Sequence, residues 1–440
     1  MRAVRHESRE SARDNAPRTK QAALAIVAGP RFNGPMNTIA VVGAGAMGAG
    51  IAQLAAQHGC SVLLIDVSDS AVQRGLTAIR DQLDRAVGKG KLAASERDDV
   101  IARIRPSTAI EGLSEIALAI EAVVEDIAVK RQVFAALERA TRETAILATN
   151  TSSLSVSAIA EGVTRRGRVI GMHFFNPPVV MPLVEIIAGA DSSQAALDKA
   201  FEIALSWGKT PVRAKDTPGF IVNRVARGYY LEALRLLGEG VAGVDEIDMV
   251  MRTLGGFRMG PFELMDLVGL DVNLAVSTSV WEQMNRHPRF APHAIQQKLV
   301  SEGHLGRKTG RGFYMYPKEG PPLPAVPVNR RTFPMTPLLS DTALAFCTRA
   351  GATSAGSTEH FIFARILGAI LNEAGFALSE GVASRGDIDL AMLKGTNYPK
   401  GPLAWADEIG PRTVRGLLKA LNAVTTDQRY EPSPHFAAAY

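Results

Sequence analysis

The stretch that most constrains the fold runs from Thr38 to Ala55, where an apolar run meets Gly43, Gly45 and Gly48 and then continues as a helical pattern. Strand, turn and helix in that order are what a dinucleotide site needs. Gly43 permits a tight turn, Gly45 lets the backbone approach a pyrophosphate, and Gly48 lets the helix pack close to the strand. The helix N-terminus is left to receive the phosphate charge. A second apolar run from Ser61 ends in Asp66, eighteen residues after Gly48. An acid there bonds both ribose hydroxyls of NAD and repels the extra phosphate of NADP. Strand and helix patterns alternate to about Asp216, which predicts an α/β, doubly wound domain on a parallel sheet. Ser70 to Arg105 breaks that rhythm as a helical hairpin inserted after the second strand, with Lys89 and Lys91 at its turn.

Later in the same domain, Val169 to Phe175 and Leu183 to Ile187 read as two short strands joined by a Pro-bearing turn. Such a hairpin returns Glu185 beside His173. A carboxylate in that place fixes the tautomer of the imidazole, as a general base for an alcohol proton requires. The alternative is a histidine satisfied by a backbone carbonyl and a glutamate in solvent.

From Thr217 the pattern turns helical and the chain repeats itself. Phe220 to Arg224 corresponds to Phe361 to Arg365, Glu239-Gly240 to Glu380-Gly381, Asp248 to Asp389, and Gly260-Pro261 to Gly401-Pro402, always at a separation of 141 residues. The second copy has Ala364 where the first has Asn223, and no second glycine fingerprint or His and Glu segment follows Pro337. It therefore reads as structural, with one active site per chain. The expected organisation is residues 1–35 as a disordered extension or upstream start, a nucleotide-binding domain over 36–216, and a first helical domain over 217–316. A Pro-rich linker over 317–337 and a degenerate second helical copy over 338–440 complete it.

Composition removes several rivals. The sequence pI near 9.2 invites a nucleic-acid reading, but residues 1–35 hold seven Lys or Arg against three acids, a net of +4 out of the formal +5. The body is nearly neutral, with no basic stripe for a phosphate backbone. The acids in that leader also argue against a transit peptide. No apolar stretch reads as long enough to span a membrane. Cys60 and Cys347 cannot build a disulfide framework, which points to a reducing cytoplasm.

Taken together, the chain resembles the L-3-hydroxyacyl-CoA dehydrogenases of the 3-hydroxybutyryl-CoA dehydrogenase type. The likeness is to longer members with a duplicated C-terminal domain, such as the 3-hydroxyadipyl-CoA dehydrogenases. It rests on Gly43 to Gly50, Val124 to Lys130, Ala148 to Ser153, His173 to Glu185, Asp216 to Arg224 and Leu305 to Tyr314. It implies His173 as catalytic base, Glu185 as its partner, and Ser152 and Asn223 as the polar groups at the reacting oxygen. It implies an NAD site formed by Gly43, Gly45, Ala46, Met47, Gly48, Asp66, Glu125, Lys130 and Asn150. An acyl-CoA substrate follows, with Lys89 and Lys91 toward the CoA phosphates, though a solvated helix end accounts for those lysines equally well. The reaction implied is NAD-dependent oxidation of a (S)-3-hydroxyacyl-CoA in fatty-acid, short-chain or aromatic catabolism, with no metal. Glu125 and Lys130 have a second reading as an exposed pair opening a helix from Lys130 to Thr141. Ser152 could instead cap a helix, and Asn223 could be a buried amide. Single-copy relatives pair through the helical domain, so the duplication can stand in for that dimer contact, with further self-association open. Two other functions compete: an NAD-binding or structural protein without turnover, and an NAD-dependent dehydrogenase of a free hydroxy acid.

Overall fold

The computed structural model describes residues 38–438 except 332, 334, 354 and 426, so the expectation for residues 1–35 falls outside it. Eight strands form its sheet: β1 (Thr38–Val42), β2 (Ser61–Ile65), β3 (Ile104–Ser107), β4 (Leu118–Glu121), β5 (Ile146–Thr149), β6 (Val169–Phe174), β7 (Leu183–Ala188) and β8 (Thr210–Lys215). Their spatial order is β3-β2-β1-β4-β5-β6-β7-β8. Helices cover both faces: α1 (Ala46–Gln57), α2 (Asp69–Gly88), α3 (Ala94–Ala102), α4 (Ile127–Ala140), α5 (Val156–Ala160) and α6 (Gln194–Ser206). Strands β4 and β5 are buried at every residue, as central strands covered on both sides must be. The order reverses across β1, whose neighbours are β2 and β4, and that is where the glycine turn emerges.

The sheet is not parallel throughout, as the expected hairpin requires. Strand β7 runs antiparallel to β6, because the eight residues between them make a turn and not a crossover. The predicted insertion is the α2–α3 hairpin, with Ser68 capping α2.

The helical half comprises α7 (Val222–Val225), α8 (Arg227–Gly238), α9 (Val244–Thr253), α10 (Pro261–Val268), α11 (Leu270–Gln283) and α12 (Ala294–Ser301). A second set follows as α13 (Pro337–Arg349), α14 (Ser357–Ser379), α15 (Arg385–Gly395), α16 (Pro402–Ile409), α17 (Pro411–Val424) and α18 (Pro434–Ala437). The repeat is structural down to its capping. Asp248 accepts hydrogen bonds from the amides of Phe262 and Glu263, both at 2.9 Å, at the start of α10. Asp389 does the same for Leu403 at 2.7 Å and Ala404 at 3.0 Å at the start of α16.

The two copies meet through reciprocal ion pairs. Arg224 of the first reaches Glu373 and Glu380 of the second, each at 2.6 Å. Arg365 of the second reaches Glu232 at 2.9 Å and Glu239 at 2.8 Å in the first. Adding 141 to 224, 232 and 239 gives 365, 373 and 380, so each partner plays both roles. That reciprocity is the signature of a two-fold interface, here contained in one chain. Gly228 of α8 lies against Ala369, its own counterpart, and Ile370 in α14; a Cβ on Gly228 would stand only 2.9 Å from backbone. The two helices therefore cross closely at the pseudo-axis.

One expectation needs correction. Helix α14, at 23 residues, is long and apolar enough to span a membrane on length and composition. It is instead the central helix of this half, with Phe361, Ile362, Ile366 and Ile370 buried. The Pro-rich segment is also more than a spacer. Leu323 pairs with Met315 in a two-stranded ribbon, the Arg331 amide donates to the Gly240 carbonyl at 3.1 Å, and Arg330 bonds Glu246 at 2.6 Å. Burial pushes both thiols up, that of Cys347 to about 12, so neither is suited to act as a nucleophile.

Candidate functional site

The glycine turn has the geometry expected of it. Gly43 has φ of +104°, and a Cβ there would stand 2.4 Å from the Ala122 carbonyl oxygen; one on Gly48 would stand 1.7 Å from the Gly43 oxygen. Gly45 has no neighbour within 4 Å of where its Cβ would be, so the backbone is open at the point where a pyrophosphate would lie. It begins α1 without a side-chain cap, and the first turn carries no acid, which leaves the amides of Ala46 and Met47 available to an anion. Asp66 is fixed by the Ala44 and Val67 amides, each donating at 2.7 Å, one to each carboxylate oxygen. These residues fit NAD.

Replacing Asp66 by Ser removes a charged acceptor, an effect of about 1.5–3 kcal/mol. NAD affinity should fall roughly 10- to 100-fold while NADP affinity rises, as fluorescence titration of each reduced cofactor would read. Equal use of both cofactors by the unaltered chain would contradict the assignment.

His173 and Glu185 are register partners across the β6–β7 pair. Nδ1 of His173 lies 2.6 Å from Oε2 of Glu185; the imidazole is 5% exposed and the carboxylate wholly buried. A carboxylate only accepts, so Nδ1 carries the proton and Nε2 keeps its lone pair. The other glutamate oxygen accepts from the amides of Ile221 and Val222, both at 3.0 Å. Those amides are aimed by a turn in which Gly219 and buried Phe220 both have positive φ, +75° and +48°. Glu185 thus joins the sheet to α7, the helix that carries Asn223. The Asn223 amide in turn donates to the Ser152 carbonyl at 3.4 Å, so all four residues implied by the resemblance converge.

Ser155, not Ser152, caps α5, while Asn223 is half-buried and its amide meets a backbone carbonyl, that of Ser152. Asn150 is held one residue from His173, its Oδ1 accepting from the Phe174 amide at 2.9 Å.

Of Glu125 and Lys130 only the glutamate is exposed, and their helix starts at Ile127 behind an Asp126 cap. Lys130 is 1% exposed, and its ammonium sits 2.7 Å from Glu121 and 3.1 Å from Glu125. Its charge therefore neutralises two carboxylates. Burial raises the Glu125 carboxyl, but Lys130 and donors from Thr151 and Ser153 outweigh it and hold the group below the usual range. Glu125 also accepts from the Ser152 amide at 3.1 Å and the Ser153 amide at 3.2 Å, which anchors the loop that presents Ser152. Lys89 and Lys91 are exposed at the α2–α3 turn, and among the described residues neither is paired.

Three participants escaped the sequence reading. Glu121 closes an apolar strand, yet it is wholly buried between Lys130 and the Thr149 hydroxyl, which donates at 2.7 Å. Lys209 donates to the carbonyls of Pro178 at 2.6 Å and Met181 at 2.9 Å, pinning the turn between His173 and Glu185. Burial lowers its ammonium to about 8. The same turn packs on α1, since a Cβ on Gly50 would meet the Pro178 ring at 2.8 Å. The second helical copy touches the site as well: a Cβ on Gly395 would lie 2.6 Å from Leu183 and 3.0 Å from Val222.

The NAD-binding domain model of the 3-hydroxyacyl-CoA dehydrogenases matches residues 38–217, and their C-terminal domain model matches both 219–316 and 361–439. Over 455 aligned residues the chain is 38% identical to a 3-hydroxyadipyl-CoA dehydrogenase of Escherichia coli, covering 90% of this chain and 96% of that one. A mitochondrial hydroxyacyl-coenzyme A dehydrogenase of Sus scrofa is 40% identical over 285 residues, covering 63% of this chain and 90% of its own. The crystal structure of an Escherichia coli 3-hydroxybutyryl-CoA dehydrogenase superposes with a TM-score of 0.80 at 37% identity, covering 91% of this chain and 98% of that one. With the fold, the NAD-binding turn and the duplicated helical domain all in agreement, the chain belongs to the 3-hydroxyacyl-CoA dehydrogenase family.

Proposed function

We propose that the chain oxidises (S)-3-hydroxyacyl-CoA thioesters to 3-oxoacyl-CoA, and catalyses the reverse, with His173 as the proton carrier. The observation that carries this reading is the buried Nδ1 contact to Glu185 at 2.6 Å, which leaves Nε2 as the only basic position of the ring. NAD, when bound, supplies the hydride acceptor. Neutral His173 takes the proton of the 3-hydroxyl through Nε2, and the imidazolium so formed is stabilised by Glu185. In reduction the imidazolium returns that proton to the developing alkoxide. Ser152 and Asn223 donate to the same oxygen and hold it in line. Oxidation therefore draws on the neutral ring and reduction on the charged one.

Ala364 offers no hydrogen bond at the position matching Asn223, which supports one active site per chain. The relatives are named for different acyl groups, adipyl and butyryl. The common test is loss of NADH absorbance with acetoacetyl-CoA. Turnover supports the reading, while NADH binding without turnover favours an NAD-binding structural protein. Turnover with free acetoacetate but not its thioester favours a hydroxy-acid dehydrogenase.

A further inference from the structure

The segment Phe175 to Pro182, which joins the strand of His173 to that of Glu185, includes three prolines and bonds little within itself. The amides of Val180 and Met181 both turn back to the Pro177 carbonyl, at 3.0 Å and 2.9 Å. The carbonyls of Pro178, Val179 and Met181 converge instead on the ammonium of Lys209, at 2.6 Å, 3.4 Å and 2.9 Å. An ammonium has three donors and no acceptor, so each carbonyl meets one donor. Lys209 is 7% exposed, and among the described residues no carboxylate pairs with it. Lys130, also buried, holds two carboxylates.

Burying a cation without an anion is costly. An apolar side chain would fill the space at less cost but would leave three loop carbonyls with nothing to bond. The root of Lys209 is fixed as well. Its amide donates to the Ala204 carbonyl at the end of α6 at 3.0 Å, and the next amide, of Thr210, donates to the Pro182 carbonyl at 2.8 Å. What the ammonium gathers reaches both halves of the reaction. Met181 leads into β7, where the register of Glu185 against His173 sets their 2.6 Å contact. Pro178 lies on α1, since a Cβ on Gly50 would stand 2.8 Å from its ring, and α1 is the helix whose first amides face the cofactor site. One side chain therefore ties the proton carrier to the cofactor helix.

We propose that Lys209 is a positioning residue for the dehydrogenase reaction: by gathering the three carbonyls, its ammonium sets the β6–β7 turn and so the place of the His173–Glu185 pair relative to the cofactor. The proposal rests on the dehydrogenase reading above. Its test is Lys209→Ala in the full chain, with single-turnover reduction of acetoacetyl-CoA expressed per NADH-binding site, so that a smaller folded fraction does not count. The rate per site should fall roughly 10- to 100-fold, the scale of a small misplacement of reacting groups, with the KM for acetoacetyl-CoA within threefold of the parent. The low-field proton resonance of the His173–Glu185 contact, recorded on the free protein, should shift or disappear. Propylammonium, which replaces the missing atoms, should restore part of the rate, whereas tetramethylammonium, which has no N–H, should not. If Lys209→Ala does not fold, Lys209→Arg decides: it keeps the charge, but its planar fork cannot bring one atom to three converging carbonyls, so its rate per site should fall too. A rate per site within threefold of the parent, or a slower rate with the resonance in place, would overturn the role of Lys209 while leaving the dehydrogenase reading intact. A parent chain that binds NADH but reduces no thioester would overturn both.

Discussion

Exchanging Glu185 for Gln should lower turnover in both directions by about 10²–10⁴-fold, the range of general acid–base catalysis. The side chains are isosteric, so the loss comes from hydrogen-bond polarity. One glutamate oxygen holds two amides of the α7 entry, at 3.0 Å each, and an amide oxygen can keep both. The new NH2 group then faces Nδ1 of His173, which must become an acceptor. The ring adopts the Nε2–H tautomer and loses the lone pair that takes the substrate proton. NADH affinity should be unchanged, because the glycine turn and Asp66 are untouched. Steady-state rates in each direction, with NADH titration, check this. Turnover within threefold of the parent would mean that the carboxylate does not set the tautomer.

Replacing Arg365 by Met should cost about 1.5–3 kcal/mol of stability, since it removes one charged partner from Glu232, which is 2% exposed and keeps Arg235, and another from Glu239. Burial alone would push the Glu232 carboxyl up, but Arg235, Arg365 and Arg429 with the Tyr430 hydroxyl hold it down to about 2. An unfolded glutamate titrates near about 4.3. A carboxyl with a depressed folded value stabilises the fold fully above the unfolded value and loses that contribution as pH falls through the interval. Between about pH 4.3 and 2 the parent should lose about 3 kcal/mol from this group, and Arg365→Met should begin to unfold at higher pH. Urea unfolding at neutral pH and an acid titration followed by circular dichroism read both effects. A loss under 1 kcal/mol with an unchanged acid transition would show that the reciprocal pairs do not hold the copies together.

Much of this architecture was legible in the residues. Glycine spacing and the acid at Asp66 announced the nucleotide turn, and a hairpin of fixed length was enough to place Glu185 opposite His173. The 141-residue offset already contained the reciprocal interface, because Arg224 and Glu239 recur as Arg365 and Glu380. What it could not supply was which surfaces face each other, so the ion pairs stayed unread. Lys130 and Lys209 look like solvent residues because lysine usually is one. Their burial depends on partners that lie across the fold: Glu121 on a neighbouring element, and carbonyls in the β6–β7 turn. Helix α14 was misjudged for the same reason, since local apolarity does not report what packs on it.

The central claim is that one imidazole per chain carries the proton that accompanies hydride transfer. Single-turnover formation of NADH from 3-hydroxybutyryl-CoA in His173→Ala, with NAD affinity titrated on the same protein, tests it most directly. The account predicts hydride transfer slowed by about 10²–10⁴-fold at unchanged NAD affinity. A rate within tenfold of the parent would remove His173 from the chemistry and contradict the account.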